Sequence, residues 1–170
     1  MKIIKTKKIA LSALFTTVIV ACGWISLPTP FGINITLSIL GVCLAAFVLG
    51  VKYALVSIVA YIALGAVGLP VFSQFMGGAG VLFGVSGGFI WGFLLTVVIC
   101  GIAKKCKRKI LKYVLMVVAV IVCHASGVVQ YSLVSGNGLI ASFLSASLPF
   151  LIKDVLLVFF ANAIYKKIKV

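Results

Sequence analysis

LPFLIKDVLL, Leu148 to Leu157, lies within an otherwise apolar run and holds Asp154, the only acidic residue among 170, with Lys153 beside it. A run of this kind reads as a helix in lipid, where ionisable side chains are costly and mark a ligand, an ion or a proton path. What that one carboxylate is for is the question the remaining sequence has to answer.

Hydrophobic residues make up 64% of the chain and charged ones 9%, and the mean hydropathy is +1.37. No soluble core hides that much apolar surface, so the solvent is lipid and the chain reads as an integral membrane protein. The formal charge of +14 does not point to nucleic acid. The basic residues cluster between long apolar runs, where they meet anionic headgroups and the cytoplasm. Cys22, Cys43, Cys100, Cys106 and Cys123 form no CxxC pair and lie mostly in apolar runs. Neither a metal site nor a disulfide framework is indicated, and they read as small packing residues. Lys2, Lys5, Lys7 and Lys8 ahead of an apolar run mimic a signal peptide, and Ile19-Val20-Ala21-Cys22 faintly resembles a lipoprotein cleavage site. The chain beyond Cys22 is more membrane rather than a secreted domain, so this run is taken as the first span.

A spanning helix needs about 20 mostly apolar residues. That rule gives one all-α domain over 1–170, a bundle of six transmembrane helices at about 9–26, 33–50, 53–69, 84–103, 110–131 and 149–165. The basic residues test the count. Lys2 to Lys8, Lys52, the cluster Lys104, Lys105, Lys107, Arg108, Lys109 and Lys112, and finally Lys166, Lys167 and Lys169 all fall on one side, with only Lys153 unassigned. The loops around Pro28 to Gly32, Pro70 to Phe83 and Ser132 to Leu148 carry no Lys or Arg. The positive-inside rule then puts both termini in the cytoplasm of a multi-pass cell-membrane protein.

In the first helix Ala13, Thr17 and Ala21 recur every four residues, a ridge of small side chains that another helix can approach closely. The ridge serves either a partner protein or a neighbour in the same bundle. Pro28 and Pro30 force a sharp turn after that helix. The segment GGAGVLFGVSGG, Gly77 to Gly88, holds six glycines in twelve positions, which suits bare N–H groups binding a polar solute and equally suits tight helix packing. No glycine there precedes Lys and then Ser or Thr, so the chain lacks the loop needed to hydrolyse ATP. His124, Gly127 and Tyr131 share one face of the fifth helix, with Ser126 and Gln130 on neighbouring faces. A single membrane histidine makes an interhelical hydrogen bond, a ligand contact or a proton relay; without acidic partners it builds no catalytic triad or metal site. Ser132 to Leu148 is too polar and glycine-broken to span, and reads as a lid or short surface helix.

With the last helix leaving the membrane near Lys166, Asp154 lies about 18 Å from that end, beyond the midplane of a hydrocarbon core about 30 Å thick. Consecutive residues point about 100° apart on a helix, so Lys153 and Asp154 are not expected to face each other. Either Asp154 is held by groups on other helices, or a solute with its own donors and a negative charge satisfies both residues.

At family level the chain resembles the BioY proteins, the biotin-binding S components of energy-coupling factor (ECF) transporters. The likeness is carried by LPTPFGINITL (Leu27 to Leu37), IALGAVGLPVF (Ile62 to Phe72), the glycine segment ending Val85-Ser86-Gly87-Gly88-Phe89, and Pro149-Phe150 ahead of Asp154. It implies a six-helix bundle that binds biotin near its outer surface and docks on a membrane coupling subunit driven by two cytoplasmic ATPases. It also implies that Ala10, Ala13 and Thr17 form the docking ridge. Where the family usually has Pro-Thr-Gly-Gly-Tyr this chain has Val85 to Phe89, and where it has Gln this chain has Ser38. Its Gly-Asp followed three residues later by Lys is replaced by Lys153, Asp154 and then Leu157. On this resemblance Asp154 accepts a ureido N–H of biotin, which ionised carboxylates do strongly where water is excluded. Gln74 and the glycine segment, through Gly78, Gly80, Ser86 and Gly87, complete the ring's hydrogen bonds. Trp91, Phe89 and Tyr131 supply apolar walls, and Lys153 pairs with the ligand carboxylate or with Asp154.

The function expected is a vitamin-capturing subunit that binds without covalent change and needs no cofactor of its own. A self-sufficient channel or secondary carrier is the competing class. A membrane enzyme is disfavoured by the single acid and single histidine.

Overall fold

The computed structural model describes residues 2–30 and 32–168, with side chains from Thr6 onward. The side chains of Lys2 and Lys5, the whole of Lys169, and Phe31 of the loop after the first helix lie outside the described residues. Among the described residues the chain is all-α apart from one two-residue strand pair. Its helices are α1 (Lys2–Trp24), α2 (Ser38–Leu49), α3 (Val51–Ala66), α4 (Ala79–Phe83), α5 (Gly87–Lys105), α6 (Lys109–Ser135), α7 (Leu139–Ala146) and α8 (Leu148–Ile168). Strands β1 (Ser26–Leu27) and β2 (Ile35–Thr36) pair antiparallel after α1. Four helices are long and apolar enough to cross a membrane, namely α1 from Thr6, α5, α6 and α8; α2 and α3 are apolar but shorter.

The short helices arise from the local sequence. The second helix begins at Ser38 rather than near Ile33, because Ile35 and Thr36 pair with Leu27 and Ser26 instead of coiling. It has 12 residues, about 18 Å at the helical rise. Gly50, at φ +77°, ends α2 and starts α3 in a single residue, a left-handed conformation that a Cβ disfavours. The glycine segment breaks into the short helix α4 before α5 starts at Gly87. The stretch 132–148 forms α7 at its centre, the short helix anticipated there.

Polar side chains inside the bundle are used to fasten helices. Ser12 donates to the Tyr53 carbonyl at 3.1 Å, Thr16 to the Ser57 carbonyl at 3.1 Å, and Ser57 back to the Ser12 carbonyl at 2.9 Å. These bonds lock one face of α1 onto α3. Ala10, Ala13, Thr17 and Ala21 lie on its other face and are exposed. Helices α5 and α6 approach closest at their glycines. A Cβ added at Gly88 would stand 2.4 Å from the Ser126 carbonyl oxygen, and one at Gly127 would meet the Phe89 ring at 2.4 Å.

Four lysines stacked on aromatic rings mark one end of the bundle. Lys8 stacks over Tyr53 at the start of α3, Lys104 over Tyr165 at the end of α8, Lys112 over Phe47 near the end of α2, and Lys166 over Tyr113 near the start of α6. The Lys104 ammonium also donates to the Val48 carbonyl at 3.1 Å. All five cysteines are free of disulfides, and Cys43, Cys100 and Cys123 are buried in the core.

Candidate functional site

At the opposite end lies a cavity of about 80 Å³, several times the ~10–15 Å³ a single water needs. Strand β2 and the residue before it give Asn34 and Thr36, α2 gives Ser38, and α3 gives Tyr61. The loop after α3 adds Phe72 and Ser73, and the start of α5 adds Ser86 and Phe89. Helix α6 contributes Cys123 and His124, and the first turns of α8 contribute Phe150, Lys153 and Asp154. The cavity therefore joins hydroxyls, an amide and a charge pair to a wall of aromatic rings, at the end of the bundle away from Lys8, Lys104, Lys112 and Lys166.

Asp154 is 8% exposed. Its Oδ1 lies 2.7 Å from the Lys153 ammonium and its Oδ2 lies 3.1 Å from His124 Nε2. The expectation that adjacent Lys153 and Asp154 would not meet is thus corrected. Their Cβ atoms do diverge, but four methylenes let the lysine fold back over its neighbour, and its ammonium also donates to the Thr36 carbonyl of β2. The contact with Oδ1 is an ion pair without hydrogen-bond alignment, so this buried oxygen makes no hydrogen bond among the described residues.

His124 is the second correction, since it does have an acidic partner. Its ring bridges α6 to α8 through Asp154 and reaches Ser147 Oγ at 2.8 Å through Nδ1, the interhelical hydrogen bonding considered from sequence. The connectivity Ser–His–Asp is that of a hydrolase triad in name alone. Ser147 is fully buried at the α7–α8 junction, and it is the carboxylate that faces the cavity.

Of the other residues singled out from sequence, Ser86 and Phe89 line the cavity with Asp154 and Lys153. Gln74, Gly78, Gly80, Gly87, Trp91 and Tyr131 stand outside that lining. Gln74 is exposed on the 3₁₀ turn Ser73–Phe75, and its neighbour Ser73 reaches the cavity and accepts a hydrogen bond from Asn34 at 3.0 Å. Gly78 gives its N–H to the Gly65 carbonyl at 2.7 Å, and Gly80 is exposed with open space around it. Gly87 is buried where a Cβ would collide with the Leu82 carbonyl at 1.9 Å, a packing role. Trp91 points outward and donates its indole N–H to the Leu82 carbonyl at 3.1 Å. Tyr131 packs with Ile33, Ala146 and Phe150. Gln130, on a flank of α6, donates to the Leu82 and Gly84 carbonyls, both at 2.8 Å, and so pins the glycine segment from outside the cavity.

Sequence reasoning missed Asn34, Thr36, Ser73 and Tyr61 as lining residues. Asn34 and Thr36 fell inside a span read as helix; their alternation with Ile33, Ile35 and Leu37, the two-residue period of a strand, was the available signal.

Comparison with known proteins bears on the family and the fold. The family model "BioY family" matches residues 1–170. The biotin transporter BioY of Thermotoga maritima is 42% identical over 105 residues, 60% of each chain. The probable biotin transporter BioY of Pyrococcus horikoshii is 32% identical over 154 residues, 89% of each chain. Among solved structures, an S component for biotin from an ECF-type ABC transporter superposes with a TM-score of 0.90 at 27% identity, covering 99% of this chain and 94% of that one. A likeness spanning the whole chain in sequence and fold places this protein in the BioY family.

Proposed function

We infer that the chain is the S component of an ECF-type ABC transporter, a multi-pass membrane subunit that captures biotin and carries out no covalent chemistry. The observation that carries this reading is a buried carboxylate at the base of a cavity, with one oxygen lacking an aligned donor. Biotin offers two ureido N–H donors, an apolar fused ring and a tail ending in a carboxylate. In the cavity a ureido N–H donates to Asp154 Oδ1, and the hydroxyls of Ser38, Ser73 and Ser86 and the amide of Asn34 serve the remaining ureido groups. Phe72, Phe89 and Phe93 sandwich the ring, and Lys153 releases Asp154 to meet the tail carboxylate.

Six helices lie in the bilayer, α2 and α3 among them despite their length, with both termini cytoplasmic. The clustering of Lys8, Lys104, Lys112 and Lys166 at the end remote from the cavity supports this orientation, because it puts positive charge inside and the cavity mouth outside. The exposed small residues Ala10, Ala13 and Thr17 dock against a membrane coupling subunit that is driven by two cytoplasmic ATPases. The purified protein should bind labelled biotin at equilibrium well below the high micromolar range; affinity at or above that range overturns the biotin assignment.

A further inference from the structure

His124, which lines the cavity, is engaged on all sides. Nε2 lies on Asp154 Oδ2, Nδ1 lies on Ser147 Oγ, and the Phe89 ring stands edge-on to the imidazole at 5.6 Å between centroids and 89° between planes. The ring is 4% exposed. An ionised carboxylate only accepts, so Nε2 carries the hydrogen on the Asp154 side. Both nitrogens are then occupied, and the histidine has no donor or acceptor left for a solute.

Its anchorage is firm. Ser147 sits where α7 meets α8, giving its N–H to the Phe143 carbonyl at 3.1 Å and accepting from the N–H groups of Phe150 and Leu151, both at 3.0 Å. The orientation of the imidazole is thus inherited from a helix junction, and the plane of the carboxylate is inherited from the imidazole.

We propose that His124 is a positioning residue for ligand capture, holding Asp154 Oδ2 so that Oδ1 is presented to a donor N–H of the solute. The physical reason is that a carboxylate on a two-torsion side chain otherwise rotates toward whichever cation is nearest, here Lys153 at 2.7 Å. Clamping one oxygen from the side opposite the lysine fixes the direction in which the other accepts, in the way outer partners orient metal-ligating side chains. This proposal rests on the reading of Asp154 as the acceptor for biotin's ureido ring.

The test is equilibrium binding of biotin, and of biotin methylated at a ureido nitrogen, to the purified protein and four variants: His124→Phe, Asp154→Asn, the double variant and Ser147→Ala. His124→Phe should weaken biotin binding about tenfold, the scale of one lost hydrogen bond to a charged group. It should add nothing further in the Asp154→Asn background, and should shrink the preference for biotin over its methylated form. Ser147→Ala, which disturbs packing less, should move both readouts the same way by a smaller factor and supports the cycle if His124→Phe does not fold. Additive losses in the double variant, or an undiminished preference for unmethylated biotin in His124→Phe, overturn the positioning role, because a merely structural histidine acts on both ligands and both backgrounds alike. If Asp154→Asn weakens binding while His124→Phe does not, positioning fails and the ligand site stands. If Asp154→Asn itself leaves affinity unchanged, the reading of the ligand site fails and the proposal with it.

Discussion

A carboxylate in a membrane bundle is held at its charge by its neighbours, and Asp154 has two of different kinds. Lys153 supplies a counter-charge within reach of solvent in the cavity, and His124 supplies a hydrogen bond from the buried side. Replacing it by asparagine keeps the shape, halves the acceptors and removes the charge. Asp154→Asn should therefore cost biotin binding about 1.5–3 kcal/mol, the range for a hydrogen bond to a charged group, measured as a rise in Kd by isothermal titration; an unchanged Kd would assign Asp154 to structure alone. Asp154 could be singled out from sequence because it is the sole acid. That His124 is its partner was not, because the two lie 30 positions apart and meet only through the docking of α6 on α8. The reach of Lys153 was misjudged for a local reason: helical angle fixes the Cβ direction but leaves a long side chain free to turn back.

Helices α5 and α6 define the element scale. Gly88 lets the Ser126 carbonyl approach to where a Cβ would be 2.4 Å away, and Ser126 Oγ donates to the Gly88 carbonyl at 3.0 Å. Backbone atoms on the facing helix cannot rotate aside, so Gly88→Ala must push the helices apart. We expect a loss of about 1–3 kcal/mol, typical of overpacking, read as a lower unfolding temperature in detergent than for Gly80→Ala, where the space is open. Glycine enrichment was visible in sequence, and both uses suggested for it were reasonable. The structure shows packing at Gly87 and Gly88, whereas Gly80 has nothing within 4 Å and stands outside the cavity lining. Composition could not make that division, because it depends on what lies opposite each residue. The first-turn region was misread for a related reason. Ile33 to Leu37 is apolar enough to continue a span, but pairing of Ile35 with Leu27 satisfies its backbone in another way.

For the molecule as a whole, one face of α1 is committed to α3 and the opposite face, with Ala13 and Thr17, is left exposed. A bulky residue there should not disturb the cavity, which lies on other elements. In liposomes containing this chain with its energising subunits, Ala13→Phe should abolish ATP-dependent biotin uptake while leaving biotin affinity within about twofold, the scatter usual for surface changes. The wild-type chain alone should give no flux, and flux without added ATPases would favour a self-sufficient carrier. All-α membrane architecture was readable from composition, and the alternation of basic clusters anticipated which helix ends lie together, since that alternation reflects connectivity alone.

The brevity of α2 has a further effect. A helix of 12 residues covers about 18 Å of a hydrocarbon layer about 30 Å thick, so in the orientation proposed above the chain before it descends into the outer leaflet outside any helix. Such backbone survives at that depth only where protein or a wet hollow meets its polar groups. Here Leu37 N–H is taken by the Cys22 carbonyl at 3.2 Å, the Thr36 carbonyl by Lys153, and the side chains of Asn34 and Thr36 open on the cavity. In that orientation, biotin captured as proposed reaches the recess below the headgroups with most of its hydration left behind, so thicker bilayers should slow its entry by lengthening the dry descent.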